Sequence, residues 1–379
     1  MNLKIDKRIQ SRPVAMLLAL LKKSLNGGEL PEALFCNASE SEWKECYRLA
    51  VSQGVMALVW DGVLALPEEF FPPKKLKLQW ALAVEAYEKR YAIYCHTVNE
   101  LSELMRPHGV GLMQLKGVGF SACYPIPAHR EGGDIDVYFY ALDSSGMTDE
   151  EARNLAEQII EKKGIYIERE HSEKHNEFCY NGILIESHKT FLNIYNTPEA
   201  LPMDAYLHEH CRPTNVSLLG GKCNVAVPTP QFNVVFIGFH AAQHYVNGLS
   251  LHHLVDWGCL QRSEALSHLP YDLMDEKVMR FLNALTALAN QHLGFEATTS
   301  YDEKFATSIL SEMLFPPFDI EKKKSLQQNP WQTFIYKTKR FIYRHQKLNR
   351  VFTINLKTRF REVYKNNVKN PKRLFRLTQ

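Results

Sequence analysis

Apolar residues recur at three- and four-residue spacings through the first hundred positions, the period of helices buried on one face. Val14 to Leu21 opens this pattern, and Trp43, Tyr47, Leu49 and Ala50 continue it. Asn37 to Ser41 supplies polar caps ahead of Glu42 and Trp43. Pro67, Pro72 and Pro73 interrupt the pattern. A long helix is then predicted from about Lys77 to Met105, a stretch rich in helix formers and without Gly or Pro. Pro107 and Gly109 end it.

From Val110 the period changes. Val110 to Leu115 reads as a strand, and Gly133 to Phe139 (GDIDVYF) alternates as a second strand. A turn at Ser144 to Asp149 leads into the amphipathic stretch EEARNLAEQIIEKK, a helix closed by Gly164. Ile165 to Glu168 and Glu177 to Tyr180 read as strands, and Asn181-Gly182 as a hairpin turn into the strand that carries Glu186. Pro198, Pro202, Pro213 and Pro228, with a Gly220-Gly221 turn, mark a connector holding a small hairpin from Val216 to Val227. Helical spacing returns from Pro228 to Leu293. The chain therefore divides into a helical region at 1–107, an α/β core at 108–195, the connector at 196–228, a second helical region at 229–320 and a tail at 321–379. The fold class is α+β, a small mixed sheet flanked by helices.

Composition fits this picture and narrows it. At 379 residues, 45% hydrophobic and 23% charged, the chain has ample length for a sizeable core. Eight cysteines lack any C-x-x-C pair or zinc-like spacing, so a reduced, cytoplasmic protein is expected. The first 24 residues resemble a signal peptide, but the apolar run is short and ends in Lys22-Lys23, so it reads as an ordinary helix. No stretch reaches the length of a membrane span. The net charge of +3 is unevenly spread. Residues 331–379 hold 14 Lys or Arg against one acid, Glu362, leaving −10 for the first 330 residues. Such a tail suits nucleic acid, an anionic surface or an acidic partner. Phe334, Phe341, Tyr343, Phe352 and Phe360 interleave with its charges, so helical pieces packed on the body fit it as well as a free arm.

The candidate chemistry centres on residues 111–140. Asp134 and Asp136 are two apart in a strand, so both carboxylates face one way while Ile135 and Val137 face the other. A D-x-D pair is short and common, and taken alone it reads first as the polar face of a half-exposed strand. A divalent cation offsets the repulsion between the two carboxylates, and Mg²⁺ takes hard oxygen ligands of this kind. Upstream, a strand, then Lys116 and Gly117, then a short helix start is an arrangement that aims backbone N–H groups at phosphate oxygens. Glu186 adds a third carboxylate from another strand. Together these are the ingredients of metal-assisted phosphoryl transfer. His240 and His244 share a helix face at zinc-ligand spacing, but the sequence HAAQH lacks the Glu of H-E-x-x-H, which excludes that class of metalloprotease. They face the active site or form a satisfied core pair. Asp256 is a candidate for a buried polar network.

LKG, then YPIPAHREGGDIDVYF, then ILIESH resembles the uncharacterised nucleotidyltransferase family of the polymerase-β-like superfamily. The resemblance extends over roughly Pro13 to Arg262. One position departs: Val118 follows the turn glycine where the superfamily usually has a second small residue, and Gly119 comes one later. The resemblance implies a nucleotidyltransferase core that moves a nucleoside monophosphate from an NTP to an acceptor hydroxyl. Asp134, Asp136 and Glu186 are then the metal-binding and catalytic carboxylates, with two Mg²⁺ ions. Lys116, Gly117 and Gly133 are the nucleotide-binding residues. His175 and His188 match histidines that recur in the family, and with His240 and His244 they are candidate substrate contacts. Two other readings remain. One is a nucleotide- or partner-binding protein without turnover on the same fold. The other is an RNA-modifying transferase that uses the basic tail.

Overall fold

The computed structural model describes residues 5–169, 172–194, 200–262, 264–316 and 330–353. Helical spacing at the start of the chain becomes α1 (Arg12–Asn26), α2 (Glu32–Phe35), α3 (Glu40–Ser52) and α4 (Met56–Leu64). The expected cap ahead of α3 is a capping box in which Ser39 and Glu42 satisfy each other's backbone N–H groups. Helices α1 and α4 touch through Gly62, where a Cβ would lie 2.2 Å from the Leu20 carbonyl oxygen.

Helix α5 (Lys74–Met105) is 32 residues long, about 48 Å at the α-helical rise. Leu76, Trp80 and Val84 in its first half pack into the helical core. Tyr91, Tyr94, Cys95, Val98 and Leu101 in its second half pack on the sheet. One rod thus fixes the helical part against the α/β part.

The sheet contains β1 (Val110–Gln114), β2 (Ile135–Ala141), β3 (Ile167–Glu168), β4 (His175–Tyr180), β5 (Ile183–His188), β6 (Pro213–Leu218) and β7 (Cys223–Pro228). Its order is β3-β4-β5-β2-β1-β7-β6. It is mixed: β2 runs antiparallel to β1 and parallel to β5, while β7 runs parallel to β1. Asn181 and Gly182 both adopt positive φ, 51° and 75°, and join β4 to β5 as the expected tight hairpin. The 213–228 segment forms a hairpin that extends the sheet beyond β1.

Ile135, Val137 and Phe139 bury one face of β2 against α5 and α6 (Asp149–Lys162). On the opposite face, Met113 and Tyr138 join the large core. That core includes α7 (Leu201–Glu209), α8 (Pro230–Asn247), α9 (Leu251–Leu260), α10 (Glu276–Leu293) and α11 (Glu303–Leu314). Helix α12 (Pro330–Val351) begins the basic tail. Leu348, Val351 and Phe352 are buried in the same core, and Glu312 pairs with both Lys347 (2.9 Å) and Arg350 (3.0 Å). The rest of the tail, from residue 354 and including Phe360, lies outside the described residues, as does His171, which with His175 stands just ahead of the Asn181-Gly182 hairpin in the sequence. Among the described residues no helix is long and apolar enough to cross a membrane. All eight cysteines are free thiols.

Candidate active site

The parallel register of β2 and β5 sets Asp136 beside Glu186. Across the hairpin, Glu177 pairs with Glu186 and His175 with His188. Alternation sends these side chains to one face and the intervening Asn176 and Ser187 to the other. There, buried Glu157 of α6 accepts both Asn176 Nδ2 (2.9 Å) and Ser187 Oγ (3.0 Å), fastening the hairpin from behind. Asp134 sits one residue before β2. One oxygen each of Asp134, Asp136 and Glu186 lies within 4.8 Å of the other two.

Three carboxylates this close need compensating partners, and the chain supplies the Lys116 ammonium and two imidazole rings. Asp136, 1% exposed, accepts from His188 Nε2 at 2.9 Å through Oδ1. Its Oδ2 faces Lys116 Nζ at 3.2 Å but accepts no well-oriented hydrogen bond. His188 Nδ1 meets the Thr190 carbonyl at 3.1 Å, so both ring nitrogens face oxygen acceptors. His175 lies between Glu177 Oε1 and Glu186 Oε2, 3.1 Å from each. Burial drives the pKa of Asp134 up, the Asp136 charge adds to it, and it reaches about 6. Burial would raise Asp136 too, but the Lys116 ammonium and the His188 hydrogen bond outweigh it and hold that carboxyl well below the usual range. Glu186 is likewise lowered, with the His188 bond opposing burial. For Lys116, burial lowers the pKa while Asp136, Asp134 and Glu186 raise it, with a net rise. Lys174, which sequence reasoning missed, is lowered by burial and by the Lys116 charge. The only sequence cue to it was its place one residue before His175.

Gly117 turns the chain after β1 with a φ of 65°, a conformation that favours glycine. Gly119 is required by packing, since a Cβ there would lie 2.5 Å from Val227. Its N–H donates to the side-chain oxygen of fully buried Gln114 (2.9 Å) and so is held inside the turn. The loop ahead of β2 is tied down on several sides. The Gly133 carbonyl accepts from Arg90 (3.2 Å) and Tyr94 (3.1 Å). His129 is gripped by Asp61 (2.7 Å) and Glu88 (3.0 Å). Arg130 makes a buried bidentate pair with Asp256 of α9 at 3.0 and 2.7 Å, and Tyr124 donates to the same carboxylate. Asp256 therefore does sit in a buried network, and its partners Arg130 and Tyr124 lie more than a hundred residues away in sequence.

A cleft of about 510 Å³ lies between sheet and helices. Lys116, Gly117, Gly133, Asp134 and Asp136 line one side, and His240, His244, His252 and His253 line another. The candidate site residues thus line one cleft or adjoin it: Glu186 and His188 lie beside Asp136, and His175 beside Glu186. His252 and His253 were missed, because they fall in a helix whose spacing reads as core. Burial lowers the pKa of all four cleft histidines. His244 and His252 reach about 4, so these rings are neutral at neutral pH. The all-oxygen donor set and the buried Asp136 Oδ2 fit a hard divalent cation, provided Lys116 gives up its place beside that oxygen.

The mixed sheet flanked by helices is the α+β architecture expected from the sequence. The profile of the uncharacterised nucleotidyltransferase family matches residues 39–294, and the chain belongs to that family. A search of curated proteins finds no match. Among solved structures, the chain is similar to an antigenic nucleotidyltransferase-like protein from Paracoccidioides brasiliensis. The identity is 12% and the TM-score 0.30, over 58% of this chain and 95% of that one.

Proposed function

We propose that this cleft transfers a nucleoside monophosphate from an NTP to an acceptor hydroxyl. The observation that carries the reading is the convergence of Asp134, Asp136 and Glu186 oxygens within 4.8 Å of one another beside a cleft large enough for a nucleotide. Asp134 and Asp136 would hold Mg²⁺, with Glu186 completing a second position. Bound Mg²⁺ would supply charge stabilisation for the attacking and leaving oxygens of an in-line displacement. The lowered pKa of Glu186 keeps it ionised and fit to ligate a cation, while making it a weaker base toward the acceptor proton. Lys116 lines the cleft, where its ammonium can neutralise a phosphate oxygen. Gly117, lacking a side chain, lets the backbone approach the phosphates.

One observation favours a second reading, a nucleotide-binding protein without turnover. Both Asp136 oxygens already face groups of the chain itself, the His188 ring nitrogen and the Lys116 ammonium. A single experiment separates the two. Purified protein is incubated with Mg²⁺, each labelled NTP and cell extract as the source of acceptor, beside the Asp134→Asn/Asp136→Asn variant. Label moved to an extract component by wild type alone supports transfer. Saturable Mg²⁺-dependent NTP binding without transfer, lost in the variant, supports the binding protein. Label on RNA would turn the reading to an RNA-modifying transferase that uses the basic tail.

A further inference from the structure

Nucleotidyl transfer leaves one cluster in the cleft without a task. His240 and His244, one turn apart on α8, present their rings on the same face. A short return at 248–250 brings His253, in the first turn of α9, beside them. Ring centroids are 4.2 Å apart for His240 and His244, 4.8 Å for His244 and His253, and 5.8 Å for His240 and His253. One nitrogen from each ring lies within 4.8 Å of the other two. A structural core histidine normally satisfies its ring nitrogens. Among the described residues, the rings of His240 and His244 have no hydrogen-bond or ion-pair partner.

We propose that His240, His244 and His253 form a binding site for a zinc-class transition metal ion, separate from the carboxylate cluster and with an open coordination position toward the cleft. The donor set decides the class of ion. Three imidazoles without a carboxylate suit Zn²⁺, Co²⁺, Ni²⁺ or Cu²⁺, whereas Mg²⁺ and Ca²⁺ demand oxygen. Tetrahedral Zn–N bonds of about 2.0–2.1 Å place ligand nitrogens about 3.4 Å apart, so modest ring rotations close the observed spacing. Three protein ligands leave a fourth position for water or a ligand oxygen, unlike a closed structural site. His253 Nδ1 lies 3.0 Å from the Ser250 hydroxyl. In the free ring Nδ1 accepts the Ser250 backbone N–H at 3.2 Å; ligation through Nε2 moves the ring proton to Nδ1, which gives up that capping bond and donates to the hydroxyl oxygen instead. His252 is excluded, because its Nε2 faces Asp256 at 3.5 Å. Lys116, which also lines the cleft, opposes a second cation, but its charge is engaged by Asp136.

The test uses the full chain without a polyhistidine tag, stripped of metal and titrated with Co²⁺, then with Zn²⁺ in competition. No nucleotide is involved, so the outcome is independent of whether the protein transfers one. Wild type should bind stoichiometric Co²⁺ with the strong visible absorption of a low-coordinate nitrogen site, and Zn²⁺ should displace it. His244→Gln and His253→Ala, on different helices, should each weaken binding by at least about 100-fold, since even outer-shell changes cost 10–100-fold. Asp134→Asn/Asp136→Asn should keep the absorption. Absence of the absorption in wild type, its persistence in both histidine variants, or its loss in the aspartate variant would each overturn the site. Circular dichroism identifies folded variants, and either histidine variant alone decides the matter if the other fails to fold.

Discussion

At the scale of single residues, Asp136 holds most of the site's electrostatics, because it is buried and bounded by His188 and Lys116. Under the proposed function, Asp136→Asn lowers transfer by more than about 100-fold, beyond the cost of an outer-shell change. Circular dichroism should show the fold retained, and wild-type activity would sink the assignment. Lys116→Met tests the competition at Oδ2. Removing the ammonium should tighten Mg²⁺ binding, read from the Mg²⁺ dependence of NTP binding, while transfer falls; an unchanged Mg²⁺ requirement contradicts the competition. Asp134 gives the pH dependence. Its carboxyl, raised to about 6, must lose its proton to ligate a cation. Apparent Mg²⁺ affinity should therefore fall by about tenfold per pH unit below 6, as expected for one displaced proton. The D-x-D pair, Lys116 and Glu186 were legible in the sequence because strand period and residue chemistry suffice to nominate them. The Lys116–Asp136 contact was not, since it depends on how the Gly117 turn folds back on β2.

At the scale of elements, the Arg130–Asp256 pair joins the loop before β2 to α9 and so sets the distance between the two sides of the cleft. Burial alone would raise the Asp256 pKa, but the charges of Arg130 and His252 outweigh it and hold it at about 2. A depressed carboxyl contributes stability that is present above its unfolded value of 3.8 and is lost as pH falls through about 2. That window corresponds to about 2 kcal/mol. Asp256→Asn should cost more, about 3–5 kcal/mol, because it leaves the buried Arg130 charge unpaired. Thermal melts at neutral pH check this, and a melting temperature equal to wild type refutes it. The helices up to residue 107, α6, the Asn181-Gly182 turn and the strand carrying Glu186 were readable from local patterns, whereas α7 lies in the stretch expected to be a connector. Which strands lie side by side was not, because pairing of β2 with β5 across the α6 crossover is a long-range choice.

At the scale of the whole molecule, charge is concentrated in the tail. Helix α12 is part of the packed body through Leu348, Val351 and Phe352, and Glu312 pairs with both Lys347 and Arg350. Residues 354–379 carry eight more Lys or Arg against Glu362. If RNA is a partner, its affinity should fall steeply with salt, with a log–log slope of about −0.7 per phosphate contacted. Truncation after Thr353 preserves α12 and should flatten that slope. Salt-insensitive binding, or binding that survives truncation unchanged, would remove RNA as a partner of the tail.

The sequence by itself determined the class of elements, the α+β architecture and the identity of the chemical groups. Periodicity, caps and turns act within a few residues, and carboxylate, amine and imidazole chemistry travels with the residue type. The tertiary structure decided which groups meet. It set Glu186 beside Asp136, placed Lys116 against the same carboxylate and drew His253 to His240 and His244. Those meetings follow from strand pairing and from the packing of α8 and α9. Both depend on burying apolar surface contributed by residues far apart in the chain, which no local pattern encodes.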